Sequence, residues 1–226
     1  MMRRFVVATA LVLIGLTGIA SYIYLQRDSL LESAIEDYGS DILGAKVLVD
    51  GVKLSPIDGE GAVRGLSIGN PKTFHRDVAH VGAIELALDP KTVADDVVRI
   101  RHIAVLTPRI TYEQRASGTN LQALQRNVAR YIGETSPKER KASTKFTVDR
   151  LVIRGGQLTY IPLSGATATG IALRLPDITL SDIGKRRGGV TAGELAKIIV
   201  DALVARTTTA MGERVLEHTV ERLFGR

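Results

Sequence analysis

Three groups of residues have the types and spacing to be weighed as sites for metals, nucleotides or anionic lipids. His75, Asp77 and His80 lie close together and are metal-ligating types. A zinc site needs three or four such ligands, and no third imidazole or cysteine stands nearby in the sequence. The spacing therefore favours ordinary loop residues, and we predict no metal site.

One glycine-rich stretch and one basic stretch are similarly weak evidence for a binding site. Gly59, Gly61 and Gly65 mimic a dinucleotide-binding loop, but with one residue too many and no helical pattern after them, so they are predicted to be turn glycines. The basic run Lys185, Arg186 and Arg187 stands at a predicted turn. Contact with anionic lipid headgroups is one interpretation of this run, and plain solvent exposure is the other.

The remaining chemistry of the chain does not indicate catalysis. The sequence has no cysteine, which excludes thiol catalysis, thiolate metal sites and disulfides. No Ser-His-Asp order, paired-carboxylate motif or phosphate loop is present. We predict no catalytic residues and no cofactor. The net charge is +6, but its 30 Lys and Arg are spread beside 24 acids and aromatic residues make up only 4%, so membrane lipids are favoured over nucleic acid as partners.

The N-terminal stretch from Phe5 to Leu25 is 21 residues long and carries no charge. A helix needs about 20 apolar residues to cross the hydrocarbon core of a bilayer. Arg3 and Arg4 precede the stretch and favour a cytoplasmic N-terminus, which predicts a single-pass inner-membrane protein with its bulk in the periplasm. A signal peptide cleaved after Ala20 is the alternative. The predicted anchor residues are Phe5, Leu11, Leu13, Ile14, Leu16, Ile19, Tyr22 and Tyr24.

The rest of the chain alternates between strand and helix patterns and predicts an α+β fold. This fold is a curled, mainly antiparallel, groove-like sheet with flanking amphipathic helices and a long C-terminal helix. The predicted divisions are residues 1–27 (tail and anchor), 28–189 (β-rich domain) and 190–226 (C-terminal helix). The predicted elements include a short helix that ends at Gly44, a helix capped by Asn120, an exposed loop from Glu134 to Thr144, and a strand pair or bent strand from Ile171 to Leu180. A long helix is predicted to open with a capping box of Thr191 and Glu194 and to run to about Phe224, with a bend or break near Thr207 to Thr209.

An internal similarity joins Val98 to Tyr112 with Phe146 to Tyr160. In each copy the apolar alternation slips once by one residue. A β-bulge has this effect, because it inserts one extra residue into a strand and bends it. The sequence therefore predicts bulges at Arg101-His102 and Asp149-Arg150 in a sheet that has grown by duplication.

The duplicated strands place their large apolar residues on one face. Each such side chain left in water forgoes about 1.5–3 kcal/mol, so the face must be covered by lipid or by helix. The first half of the C-terminal helix is long enough to cover only part of it, which predicts an apolar slot near the repeat strands. The predicted groove-lining residues are Val98, Ile100, Ile103, Val105, Phe146, Val148, Leu151 and Ile153.

Several short motifs follow the anchor in a consistent order, and over roughly Phe5 to Tyr160 this order resembles the N-terminal part of the AsmA family. That family is similar in architecture to periplasmic β-groove lipid-transfer proteins. The resemblance implies lipid transport or organisation in the cell envelope and outer-membrane biogenesis, and it supplies no catalytic residues. This chain departs from long family members in ending with an amphipathic helix. The motifs are GLSIGNP (Gly65 to Pro71), IELALD (Ile84 to Asp89), PRITYE (Pro108 to Glu113) and GTNLQAL (Gly118 to Leu124).

Two non-enzymatic functions follow from these patterns. The first is an anchored periplasmic protein that handles lipids through an apolar β-groove. The second is an adaptor that docks other envelope proteins through its C-terminal helix. The two differ in whether the apolar sheet face is open to a ligand or covered by the protein's own helix.

Overall fold

The computed structural model describes residues 29–55, 57–163 and 170–224, with the backbone alone for residues 140–142 and 212–224. The fold is α+β, with a curled mixed sheet shaped as a half-barrel and a long C-terminal helix. The predicted anchor lies outside the described residues. None of the helices within the described ranges combines the length and apolarity needed to cross a bilayer.

Eleven described strands and four helices make up this fold. Helix α1 covers residues 29–43 of the described chain. The other elements, in chain order, are β1 (Val47–Leu48), β2 (Gly51–Ser55), β3 (Glu60–Ile68), β4 (Ala79–Leu88), β5 (Val97–Leu106), β6 (Arg109–Arg115), β7 (Gly118–Thr119), α2 (Asn120–Glu134), α3 (Pro137–Ala142), β8 (Lys145–Arg154), β9 (Gln157–Ile161), β10 (Ile171–Arg174), β11 (Ile178–Ile183) and α4 (Ala192–Phe224).

Most of the strands join end to end into six longer ribbons, because successive strands continue one register. Ribbon 1 contains β1 and β2, ribbon 2 is β3, ribbon 3 is β4, ribbon 4 contains β5 and β6, ribbon 5 contains β8 and β9, and ribbon 6 contains β10 and β11. The ribbons lie side by side in chain order. All neighbours are antiparallel except ribbons 4 and 5, which are parallel and joined through α2 and α3.

The internal repeat accounts for the parallel pair. Ribbon 4 and ribbon 5 pair each residue with its counterpart 48 positions later, from Val97 beside Lys145 to Glu113 beside Ile161. The two copies therefore lie directly side by side at equivalent positions. A parallel pair needs a crossover connection, and the amphipathic helix α2 supplies most of it.

One row of residues crosses all six ribbons and interrupts the regular pairing in each. We name this row the slip row, and the pairs on both sides of it keep the same register. Because every ribbon carries the additional residue, the apolar alternation changes phase in all of them at once. The row consists of Asp50, Gly65, Gly82, Thr107, Gly155 and Pro176.

Three members of the slip row have left-handed backbone conformations, with φ of 62° at Gly65, 47° at Thr107 and 63° at Gly155. Such conformations cost a residue with a Cβ atom roughly 1–2 kcal/mol, which explains the glycines. At Gly65 a Cβ atom would also stand 1.9 Å from Oδ2 of Asp50, the neighbouring member of the row. Gly65 therefore meets both a conformational and a steric requirement.

A second slip row crosses ribbons 4 to 6 at Arg101, Asp149 and Asp182. Ribbon 4 has one residue more than ribbon 3 there, because Ala87 pairs with His102 but Leu88 pairs with Ile100. The predicted bulge at Arg101-His102 is confirmed. The prediction at Asp149-Arg150 is only partly right, since ribbon 6 carries its own extra residue, Asp182 at φ 56°, and the register of β8 with β11 does not shift.

Helix α1 protects the edge of the sheet at ribbon 1. Three of its polar side chains, spaced four residues apart, accept hydrogen bonds from backbone amides of the edge. Exposed edge strands invite pairing with other chains, so this arrangement closes one edge within the chain. The bonds run from Val52 N to Glu32 Oε1 (3.2 Å), from Val49 N to Glu36 Oε1 (2.9 Å) and from Val47 N to Ser40 Oγ (2.9 Å).

Three sequence predictions for the helices need correction. Thr119 rather than Asn120 caps α2, in a capping box with Gln122. The predicted loop from Glu134 to Thr144 contains helix α3, which begins after Ser136. Of the predicted bend or break near Thr207 to Thr209, the break is absent, because α4 is one continuous helix to Phe224 and the hydroxyls of Thr208 and Thr209 bond to its own carbonyls. The predicted capping box of Thr191 and Glu194 is confirmed, and the predicted strand pair or bent strand is found as two strands of one ribbon, β10 and β11.

The slip row leads to a test by substitution. We expect Gly65→Ala to lower the free energy of unfolding by at least ~1–2 kcal/mol, because alanine disfavours φ 62° and its Cβ meets Asp50. The measurement is chemical denaturation of the full chain.

Gly82→Ala is the matched control within the same row. A Cβ at Gly82 meets nothing within 4 Å, so this variant should be as stable as the wild type or slightly more stable. Equal losses for the two variants would contradict the role given to Gly65.

Candidate functional site

The predicted groove-lining residues lie together on the sheet face that the helices cover. Val148, Leu151 and Ile153 are 0%, 1% and 3% exposed, and they form one apolar cluster with neighbours on β5 and β11. Val98 and Ile100 are also buried. The last three, Ile103, Val105 and Phe146, are half-buried.

Helix α4 lies against this cluster. The side chains that the sequence assigned to covering the face do pack on it, at the edge formed by ribbons 4 to 6. Five of the eight predicted groove-lining side chains are buried, so this part of the predicted groove is a closed core. The covering residues are Leu195, Ile198, Ile199, Ala202 and Leu203.

The covered face continues beyond this core as a half-buried apolar strip on ribbons 1 to 4. We name it the apolar strip. Its rows follow from the register, since Leu54, Gly61, Leu86 and Ile103 pair in one row. Leu54 and Leu86 lean together over Gly61, where a Cβ atom would meet both at 3.0–3.1 Å. The strip consists of Leu54, Ile84, Leu86, Leu88, Ile103 and Val105, all half-buried, and three of them, Leu88, Ile103 and Val105, also pack against the closed core.

We name the opposite face of the sheet the open face. A hollow of about 650 Å³ is lined by open-face residues and also by Leu54, Gly61 and Leu86, which stand in one row of the apolar strip. Residues alternate between faces along a strand, so His102 points away from the face of Ile103. The side chains around the hollow are mixed in charge, with Lys53, Glu60 and Glu85 exposed and His102 half-buried. Small residues, Ala62 and Ala87 among them, make the hollow.

Lys185, one of the three predicted headgroup contacts, is held by acids of the second slip row. Its ammonium lies 3.0 Å from Asp149 and 2.5 Å from Asp182, and Arg99 contacts Asp149 at 2.8 Å. The Arg99 and Lys185 side chains hold the pKa of Asp149 below its ordinary value. These ion pairs lie at the second slip row. Arg186 and Arg187 are exposed on the adjoining turn.

The most buried charge among the described residues is the carboxylate of Glu113, which is 2% exposed. It accepts hydrogen bonds from the backbone amides of His75 and Arg76, at 3.0 and 3.2 Å. The guanidinium of Arg115 contacts it at 2.6 Å. The carboxylate thus ties the loop between β3 and β4 to β6.

Asn120 extends this polar cluster into helix α2. Its side chain is fully buried. The Oδ1 atom accepts a hydrogen bond from the backbone N–H of Glu113 at 3.1 Å, and the Nδ2 atom donates one to the carbonyl oxygen of Thr111 at 2.7 Å. Every one of these bonds joins backbone or charged partners within the fold. The arrangement suits fixation of a loop and a helix start.

Opposing effects determine the pKa of Glu113. Burial raises it, but the amides of His75 and Arg76 and the guanidinium of Arg115 stabilise the charged form and together outweigh burial. The pKa therefore lies below its ordinary value. Neither Glu113 nor Asn120 is predicted as a site residue from the sequence, although both stand in the motifs PRITYE and GTNLQAL.

The other sequence candidates do not converge on a site. His80 contacts Ser67, with 3.0 Å between Nδ1 and Oγ, and His75 and Asp77 are exposed. Within the described ranges, no three His, Asp or Glu side chains are grouped to hold a metal ion. Gly59 and Gly65 occupy left-handed positions with φ of 70° and 62°, one in a turn and one in the slip row.

Fold and site together define an α+β protein with a curled sheet, one face closed by helix and one open. In comparisons with known proteins, no family model matches the sequence and no curated protein is significantly similar to it. A role must therefore be argued from the geometry and the sequence.

The lowered pKa of Glu113 predicts that the stability of the protein depends on pH. A carboxyl group whose pKa is lowered by folding stabilises the protein above its unfolded pKa, ~4.3, and loses that contribution as the pH falls through the folded pKa. We expect Glu113→Gln to be less stable than the wild type by ~1–3 kcal/mol at pH 7. This difference should shrink as the pH is lowered below ~5 in urea denaturation.

Glu85→Gln makes the same change of charge at an exposed position and should leave stability and its pH dependence almost unchanged. Parallel pH profiles for the wild type and Glu113→Gln would show that the carboxyl titrates alike in the folded and unfolded chains.

Proposed function

We propose that the protein is a non-enzymatic, membrane-anchored protein of the cell envelope that handles lipid acyl chains at the apolar strip. The observation that carries this proposal is the strip itself. Its six large aliphatic side chains lie in adjoining rows and stay half-buried, directly beside a core that α4 closes.

The energetics of the strip support an apolar ligand. Fully covering a large aliphatic side chain gains about 1.5–3 kcal/mol, and each strip residue still has part of this gain to make. An acyl chain is apolar along its length and can lie across neighbouring rows of Leu54, Leu86 and Ile103. A polar ligand would gain nothing from these side chains.

The sequence supports the membrane location. The uncharged stretch Phe5 to Leu25 has the length of a bilayer-spanning helix, and Arg3 and Arg4 favour a cytoplasmic N-terminus. The resemblance of the motif order to the AsmA family implies lipid transport in the same compartment. Residues of helix α1 follow the stretch within a few positions, so the sheet would stand close to the membrane.

A second function, that of an adaptor for envelope proteins, is favoured by the closure of the core. Leu151 and Val148 are covered by the protein's own helix α4 rather than left open. If the strip is likewise only the rim of that core, the protein's contacts with partners fall to its outer surfaces, α4 included.

Native mass spectrometry of the full chain, extracted in a mild detergent, distinguishes the two functions. We expect wild type to retain phospholipid and Leu86→Asp to lose it, because a carboxylate in the strip disfavours an acyl chain. Circular dichroism checks that the variant is folded.

Two controls separate loss of lipid from loss of stability. Glu85→Gln, the neighbouring residue on the other face, should retain lipid. Leu151→Ala should lower stability by ~2–5 kcal/mol and still retain lipid, because it opens a cavity in the closed core. Wild type without lipid, together with a Leu86→Asp variant that unfolds, would identify the strip as core and favour the adaptor function.

A further inference from the structure

Besides Arg99, which is paired with Asp149, the open face carries five exposed arginines, most of them at the end of the sheet where the repeat strands lie. Their positions follow from the register. Arg109 and Arg174 both pair with Gln157, one from each side, and Arg154 lies three residues before Gln157 on the same ribbon. Neighbouring strands are ~4.8 Å apart, so these three arginines share a small area. The full set is Arg64, Arg109, Arg150, Arg154 and Arg174.

None of the five arginines forms an ion pair with another residue in the described part of the chain. Arg99 and Lys185 differ, because both are paired with Asp149 of the second slip row. The exposed acids Glu60 and Glu85 lie on ribbons 2 and 3, at the hollow. One exposed acid, Asp177, lies opposite Arg154 in the register, and its Oδ1 accepts a hydrogen bond from the Gly155 amide at 3.2 Å. The half of the open face on ribbons 4 to 6 therefore carries an excess of cationic side chains.

The composition of the face identifies the kind of anion. Guanidinium groups bind phosphate through paired hydrogen bonds, which gives arginine an advantage over lysine at phosphate surfaces. Single-stranded nucleic acid is bound with stacking aromatic side chains. At the open-face positions between the arginines stand Ala83, Ala104, Val152 and Gln157, with no aromatic residue.

We propose that the open face docks onto the surface of an anionic lipid membrane, with Arg109, Arg154 and Arg174 contacting headgroup phosphates. The surface is distinct from the apolar strip, which is on the other face, and from the basic turn at Lys185. The docking does not depend on acyl-chain binding, so the lipid-handling proposal and this one can fail separately.

The test uses the full chain in nanodiscs, with a reporter on the open face. Because the chain has no cysteine, Gln157→Cys provides a single site for an environment-sensitive fluorophore. We compare discs of phosphatidylcholine with discs containing phosphatidylglycerol. We expect the fluorophore to be shielded from an aqueous quencher only in the anionic discs at low salt, with the shielding reversed at high salt.

Substitution of Arg109, Arg154 and Arg174 by Gln then measures the contribution of the face. Each arginine near an anionic surface changes the docking equilibrium by about fivefold, so the triple variant should lower it roughly 100-fold. The control replaces Arg126, Arg130 and Lys138, exposed on α2 and α3, with Gln and makes the same change in net charge. A reporter at Thr208→Cys on α4 should remain accessible in both kinds of disc.

Four results would overturn the proposal. They are equal accessibility of the Gln157→Cys reporter in the two kinds of disc, an equal effect of the control triple variant, shielding of both reporters alike, and displacement of the face from anionic discs by an oligonucleotide at low concentration. The last result would assign the arginines to nucleic acid. Circular dichroism of both triple variants confirms that their folds are unchanged.

Discussion

The slip row is the constraint on which the sheet depends. Side chains in a strand alternate between faces, so one added residue moves every following side chain to the other face. If a single ribbon lacked the extra residue, its pairing with both neighbours would shift from that point. All six ribbons carry it, from Asp50 to Pro176, and the pairing resumes in the same register beyond it. The sheet can therefore curl while one face stays apolar throughout.

The duplication explains how such a row is maintained in ribbons 4 and 5. Because the copies pair at equivalent residues, Thr107 lies beside Gly155 and Arg101 beside Asp149, and each irregularity meets its own counterpart. The residues need not be identical. Thr107 accepts a left-handed conformation at some cost while Gly155 accepts it freely, and a Cβ at Gly155 would stand 3.2 Å from the Thr107 methyl group.

Local patterns predicted much of the fold. The repeat and its bulge at Arg101, the helix stripe of α4 and the strands could be read from the alternation of apolar residues. The slip row was missed, although the change from Val81 to Ile84 carries its signal, because one strand alone cannot show that its neighbours slip too. The predicted bend or break in α4 does not interrupt the helix, and the reason is physical. Thr208 and Thr209 have low helix propensity, but their hydroxyls bond to carbonyls within the helix.

The site residues were harder to predict because burial depends on which elements meet. The sequence showed that Val148 and Leu151 needed a cover, and it identified α4 as part of that cover. It did not show that α4 would lie over ribbons 4 to 6 and leave Leu54 and Leu86 half-buried. Glu113 is the opposite case, a charged residue in a strand that reads as exposed until Asn120 and the loop amides surround it. A carboxylate buried so completely is stable only with its partners in place. The loop at His75, the strand β6 and the start of α2 must therefore be held together for the carboxylate to remain buried.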